Sequence, residues 1–147
     1  MTSPVQRPSI CYRNLSGYKY QLVQDYQVSV SVAPVTRILL DYLMLTSTSI
    51  LSINAGYAWD GPSGPTIDTH NFLRGSMVHD ALYQLMRLGE LDDRVWRESA
   101  DRDLWRICRE DGMSRVRAWY VYRSVRLFAG GSAKPDSRPE VKVSYAP

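Results

Sequence analysis

From Tyr26 the chain alternates: Tyr26, Val28, Val30 and Val32 are interleaved with Gln27, Ser29 and Ser31. A period of two sends alternate side chains to opposite faces, so this stretch reads as a half-buried strand. Tyr18, Tyr20 and Leu22 predict a strand before it, with Asp25 near the connection and Pro34 closing the pair. Tyr42–Thr46 and Ile50–Ile53 read as two further short strands around the polar turn Ser47-Thr48-Ser49. Between residues 55 and 66 the pattern disappears. Gly56, Gly61, Pro62, Gly64 and Pro65 exclude helix and central strand there, and the glycines allow backbone groups to turn inward. This run is either a rigid functional loop or a plain connection.

Beyond it the apolar spacing lengthens to that of helices. Val78, Leu82, Leu85 and Leu88 form the stripe of a first helix, which Asp68 or Thr69 caps and Gly89 ends. A second runs from about Asp93 to Asp111, with Trp96, Ala100, Leu104 and Ile107 on one face and Gly112 as its stop. Ser114 caps a third, whose apolar positions are Val116, Trp119, Val125 and Phe128, and Gly130-Gly131 stops it. The expected fold class is therefore α+β: a small N-terminal antiparallel sheet, a Gly/Pro-rich loop, then three α-helices. Residues 1–17 read as a polar arm, 18–131 as one domain and 132–147 as an extended, proline-bearing tail.

The chain's 147 residues, 44% apolar and 22% charged, suit one globular domain. The net charge of +3 is small, but Arg115, Arg117, Arg123 and Arg126 crowd the third helix. Such a face either is simply solvated or meets phosphate groups. Nucleic acid is the weaker partner class, because the aromatics form no stacking platform. Cys11 and Cys108 give neither a metal spacing nor a disulfide framework. No signal-peptide pattern or span of about 20 apolar residues is present, so synthesis in the cytoplasm is expected.

The candidate chemistry lies in His79-Asp80-Ala81-Leu82-Tyr83 and in Ala100-Asp101. Positions four apart on a helix share a face, so His79 and Tyr83 point the same way. Asp80 is offset by about 100°, toward a neighbouring side. An antiparallel second helix would bring Asp101 to the far nitrogen of His79, fixing its tautomer as the ring takes a proton from water. Asp80, with carbonyls of the Gly/Pro loop, would suit calcium, which takes roughly six to eight oxygens. The alternative is a structural polar cluster with Asp80 merely exposed. Zinc on His70 and His79 has irregular spacing against it. Asp103 and Asp111 read as solvated.

The stretch Gly56-Tyr57-Ala58-Trp59-Asp60-Gly61-Pro62-Ser63, with His79-Asp80-Ala81-Leu82-Tyr83 and Ala100-Asp101, resembles the phage and prophage domain-of-unknown-function family 1353. Gly61-Pro62 and the same two helical motifs are also similar to the phospholipase A2 superfamily, above all its parvovirus-capsid type. That resemblance implies His79 as the base, Asp101 orienting it and Tyr83 bracing the pair. It also implies calcium held by Asp80 and by carbonyls around Trp59, Gly61 and Ser63. The N-terminal sheet has no counterpart in that module, and Asp60 makes the loop more acidic.

Two functions follow as expectations. One is a calcium-dependent ester hydrolase acting on membrane phospholipid at the host envelope, with Tyr57 and Trp59 suited to an interfacial surface. The other is a non-catalytic tail or baseplate part, tied to other virion proteins through its N- and C-terminal arms. Both place the chain in a phage virion.

Overall fold

The computed structural model describes residues 9–15, 20–61 and 69–135. Residues 1–8 and 136–147, most of the two expected arms, lie outside these, as does Ser63. The architecture is α+β, with strands first and helices after. Strands β1 (Tyr12–Asn14), β2 (Tyr20–Leu22), β3 (Tyr26–Ser29), β4 (Ile38–Leu39), β5 (Leu43–Leu45), β6 (Ile50–Ile53) and β7 (Ala58–Trp59) precede α1 (His70–Arg87), α2 (Asp93–Glu110) and α3 (Arg115–Phe128).

The strands form two antiparallel sheets where one was expected, in the orders β1-β2-β7 and β3-β6-β5-β4. In the larger sheet Tyr26 and Leu43 both register with Ile53, and Leu45 with Leu51, so one apolar face is assembled from three strands. Ser49 takes the left-handed conformation in the β5–β6 turn, and the Thr46 side chain accepts from the Ile50 amide to close it. The smaller sheet corrects the reading of residues 1–17 as an arm. Tyr12 packs edge-on against Tyr20 at 5.6 Å, and Tyr20 lies 5.5 Å from Trp59. This aromatic ladder recruits Tyr12–Asn14 as an outer strand, which alternation alone did not reveal. β7, inside the Gly/Pro run, is the opposite edge strand, a position such a run permits.

Each helix end follows its local chemistry. Asp92 and Ser114 accept the amides of Arg94 and Arg117 as N-caps, and Gly89 and Gly112 take positive φ just past α1 and α2. Thr69 precedes α1 without a side-chain cap. The expected stripes of α1 and α2 are buried apart from Leu88 and, in part, Trp96. That of α3 is not: Val116, Trp119 and Phe128 face solvent, whereas Ala118 and Val121 pack inward. The apolar side that α3 does bury, Ala118 and Val121 with Val125 against them, packs in a cluster with Phe72, Leu104, Cys108 and Met113. Residues Gly130–Ala133 form a 3-10 helix with Ala133 buried, so the tail begins later than expected.

Gly75 sets the separation of α1 and α2. A Cβ there would lie 2.9 Å from Cys108 Sγ and 3.1 Å from Leu104 Cδ1. This close approach sits one turn before His79. We therefore expect Gly75→Val to destabilise the fold by about 2–3 kcal/mol through overpacking. The check is a lower denaturation midpoint at unchanged slope.

Candidate functional site

The helices run antiparallel, and three contacts descend along them: Gly75 against Cys108, His79 against Asp101, and Tyr83 against Arg97. His79 Nε2 stands 2.7 Å from Asp101 Oδ1, and the Tyr83 hydroxyl donates to the same oxygen at 2.6 Å. The His79 and Tyr83 rings stack with centroids 4.1 Å apart, as residues one turn apart on a helix allow. Asp101 is fully buried and His79 nearly so. The structure thus brings together the three residues that the sequence nominated for catalysis.

Two arginines join them. Arg126 Nη1 donates to Asp101 Oδ2 at 2.9 Å, and Arg97 Nε lies 3.9 Å from that oxygen while donating to the Tyr83 hydroxyl at 3.1 Å. Arg97 also donates to the carbonyls of Val125 and Arg126, closing the C-terminal end of α3. Arg97 escaped nomination from the sequence, although its position four residues before Asp101 on one helix could have pointed to it. Arg126 could not be found that way, because its role depends on how α3 packs across α2. A reading of α3's arginines as one solvated face is corrected for this residue.

The electrostatics follow from these contacts. Burial alone would raise the Asp101 carboxyl pKa. Hydrogen bonds from His79, Tyr83 and Arg126 outweigh it and hold the group below its ordinary value. The Tyr83 phenol is pushed well up by burial and then by the charge on Asp101, so it remains a donor. An ionised Asp101 accepts only, so His79 must present a proton at Nε2, which in the neutral ring puts the lone pair on Nδ1. The arrangement is an imidazole oriented through Nε2 by a fixed negative charge, the geometry in which a neutral ring would use Nδ1 as a base.

The metal-site residues are placed differently. Trp59 Nε1 donates to Ser76 Oγ at 3.1 Å, and the Tyr57 hydroxyl donates to Gln84 Oε1 at 3.1 Å. Ser76, Asp80 and Gln84 lie four apart along α1, so the segment around β7 runs along the helix face that carries Asp80. Asp80 is half-buried between those two anchors, rather than merely exposed. Gly61 is buried with φ +76°, a conformation that favours glycine. Of the ligands the sequence nominated, Asp80 offers a carboxylate and Trp59 and Gly61 offer backbone carbonyls, oxygen donors of the class a hard cation takes. Among the described residues no group of three His, Cys, Asp or Glu converges, and His70 does not join His79.

Other expectations are corrected. Tyr57 and Trp59 are buried, fixed by their bonds to α1, and form no interfacial surface. Asp103 is buried and takes the Ser31 amide and hydroxyl, each at 2.8 Å. Asp111 accepts from Arg74, a buried arginine that also reaches Tyr26 and Glu110. Both acids serve tertiary contacts that their own helix does not reveal. Cys11 and Cys108 are free, and burial pushes the Cys108 thiol up to about 12, which keeps it protonated.

No helix among the described residues is long and apolar enough to cross a membrane. No family model matches the chain, and neither the curated proteins nor the solved structures contain a match to it.

Asp101→Asn removes the charge and must turn an amide N–H toward one of three donors. The expected loss is about 3–5 kcal/mol, the cost of breaking a buried pair. The sign of the pH effect is fixed, since a depressed carboxyl stabilises above its unfolded pKa, about 3.9. That contribution disappears as pH falls through the lower native value, so the stability gap between wild type and Asp101→Asn narrows below about pH 4. Denaturation at several pH values reads this directly.

Proposed function

We propose that this chain is a phage protein, carried in the virion at the tail or baseplate, that hydrolyses an ester of the host envelope's phospholipid. The observation that carries the catalytic part is the 2.7 Å contact between His79 Nε2 and a fully buried, ionised Asp101. The phage origin rests on the combined motifs of residues 56–63, 79–83 and 100–101.

In this reading His79 Nδ1 takes a proton from water as the oxygen attacks the ester carbonyl carbon. Asp101 holds the ring's orientation and stabilises the imidazolium, while Tyr83 and Arg126 hold Asp101. As the tetrahedral intermediate collapses, the carbon–oxygen bond to the alcohol breaks and the imidazolium returns its proton to that oxygen. Asp80 and carbonyls around Trp59, Gly61 and Ser63 would hold calcium. Bound there, the ion supplies a Lewis acid for the ester carbonyl. The anchoring of Tyr57 and Trp59 on either side of Asp80 supports this assignment.

A second reading has its own support. Asp101 is a fully buried carboxylate on α2 that accepts from α1 through His79 and from α3 through Arg126. A non-catalytic tail or baseplate subunit would use the same cluster simply to lock its helices.

Fatty-acid release from phospholipid vesicles with added calcium separates the two. We expect EDTA to abolish release and His79→Gln to lower it by about 10²–10⁴-fold, the usual worth of a positioned base. A His79→Gln protein as active as the parent would remove the base assignment, and an inactive parent would leave the structural reading. Mass spectrometry of purified particles tests the virion assignment, which absence of the chain would contradict.

A further inference from the structure

The outer face of α3 is apolar where a solvated helix would be polar. Val116 is 80% exposed, Trp119 59%, Tyr120 48% and Leu127 66%. With Arg123 they recur every three or four residues, forming one stripe opposite the buried Ala118 and Val121. The helix carries Arg115, Arg117, Arg123 and Arg126 and no carboxylate. Arg117 and Arg126 turn toward the protein, onto Thr69 and Asp101. Arg115 is exposed on the flank of the stripe and Arg123 within it, where it lies over the Trp119 ring at 5.9 Å.

We propose that this face of α3 lies on an anionic phospholipid surface. A second copy of the chain fits poorly, because α3 offers no acid to pair the arginines of an opposing α3. Nucleic acid fits poorly as well, since Val116 and Leu127 would be pressed against phosphates without bonding them. A bilayer interface accepts all three residue classes: aliphatic side chains reach the acyl boundary, Trp and Tyr sit at headgroup depth, and arginines meet lipid phosphates. The surface is built from residues outside the His79 cluster, which meets α3 on its inner side through Arg126 and through the bonds of Arg97 to the Val125 and Arg126 carbonyls, so it stands independently of the hydrolytic reading.

Sedimentation of the full chain with vesicles tests this. Phosphatidylcholine vesicles containing phosphatidylglycerol should capture it, phosphatidylcholine alone should not, and added salt should release it. Binding should blue-shift tryptophan emission in wild type and not in Trp119→Phe. Each arginine near an anionic surface is worth about fivefold in partitioning, so Arg115→Glu with Arg123→Glu should lower binding by more than about 25-fold. His79→Gln should bind like wild type. Failure of the wild-type chain to sediment would overturn the proposal, as would equal capture by both vesicles or undiminished binding of the charge-reversed protein. Dimerisation or nucleic-acid binding through these side chains, without vesicle capture, would also overturn it. Hydrolysis of a soluble short-chain ester by a chain that ignores vesicles would remove this surface and leave the site intact.

Discussion

A carboxylate removed from water is among the least favourable groups to place inside a small protein. Its desolvation costs several kcal/mol unless charge and hydrogen bonds replace the lost solvent. Asp101 meets that condition with donors drawn from two other helices: His79 and Tyr83 on one side, Arg126 on the other. The orientation of His79 follows from this satisfaction, as does the seating of α3 across α2. Chemistry and packing at this position are one arrangement.

The same logic recurs on α2. Asp103 binds the backbone and side chain of Ser31, just past β3, and Asp111 and Glu110 bind Arg74 of α1, whose guanidinium also meets Tyr26 of β3. α2 is therefore the hub to which the larger sheet and both other helices are tied by buried polar contacts. Each contact has geometric requirements that apolar packing lacks, so together they fix the angles at which the elements meet. Gly75 contributes by permitting the helix approach that puts His79 within reach.

The helix boundaries and the β5–β6 turn were legible in the sequence because each depends on local spacing, and the His79–Tyr83–Asp101 grouping because a polar pair on one helix face needs an acceptor that an antiparallel neighbour supplies. Alternation marked β3, the polar turn Ser47–Ser49 marked β5 and β6 on either side of it, and helical periodicity placed His79 and Tyr83 on one face. What the sequence concealed depends on partners distant in the chain. Tyr12–Asn14 becomes a strand through Tyr20, Asp103 is buried because Ser31 meets it, and Arg126 turns inward because α3 crosses α2. The apolar positions of α3 misled for the opposite reason. Periodicity reports that a face is apolar but not whether the protein itself covers it.

The central claim is that Asp101 is an ionised acceptor and His79 its Nε2 donor. Nitrogen-15 NMR of the histidine ring reads this most directly. In the neutral ring the expected tautomer of His79 is Nε2–H, with a slowly exchanging ring proton that Asp101→Asn abolishes. A Nδ1–H tautomer, or a ring proton exchanging at the solvent rate in the wild-type protein, would contradict it.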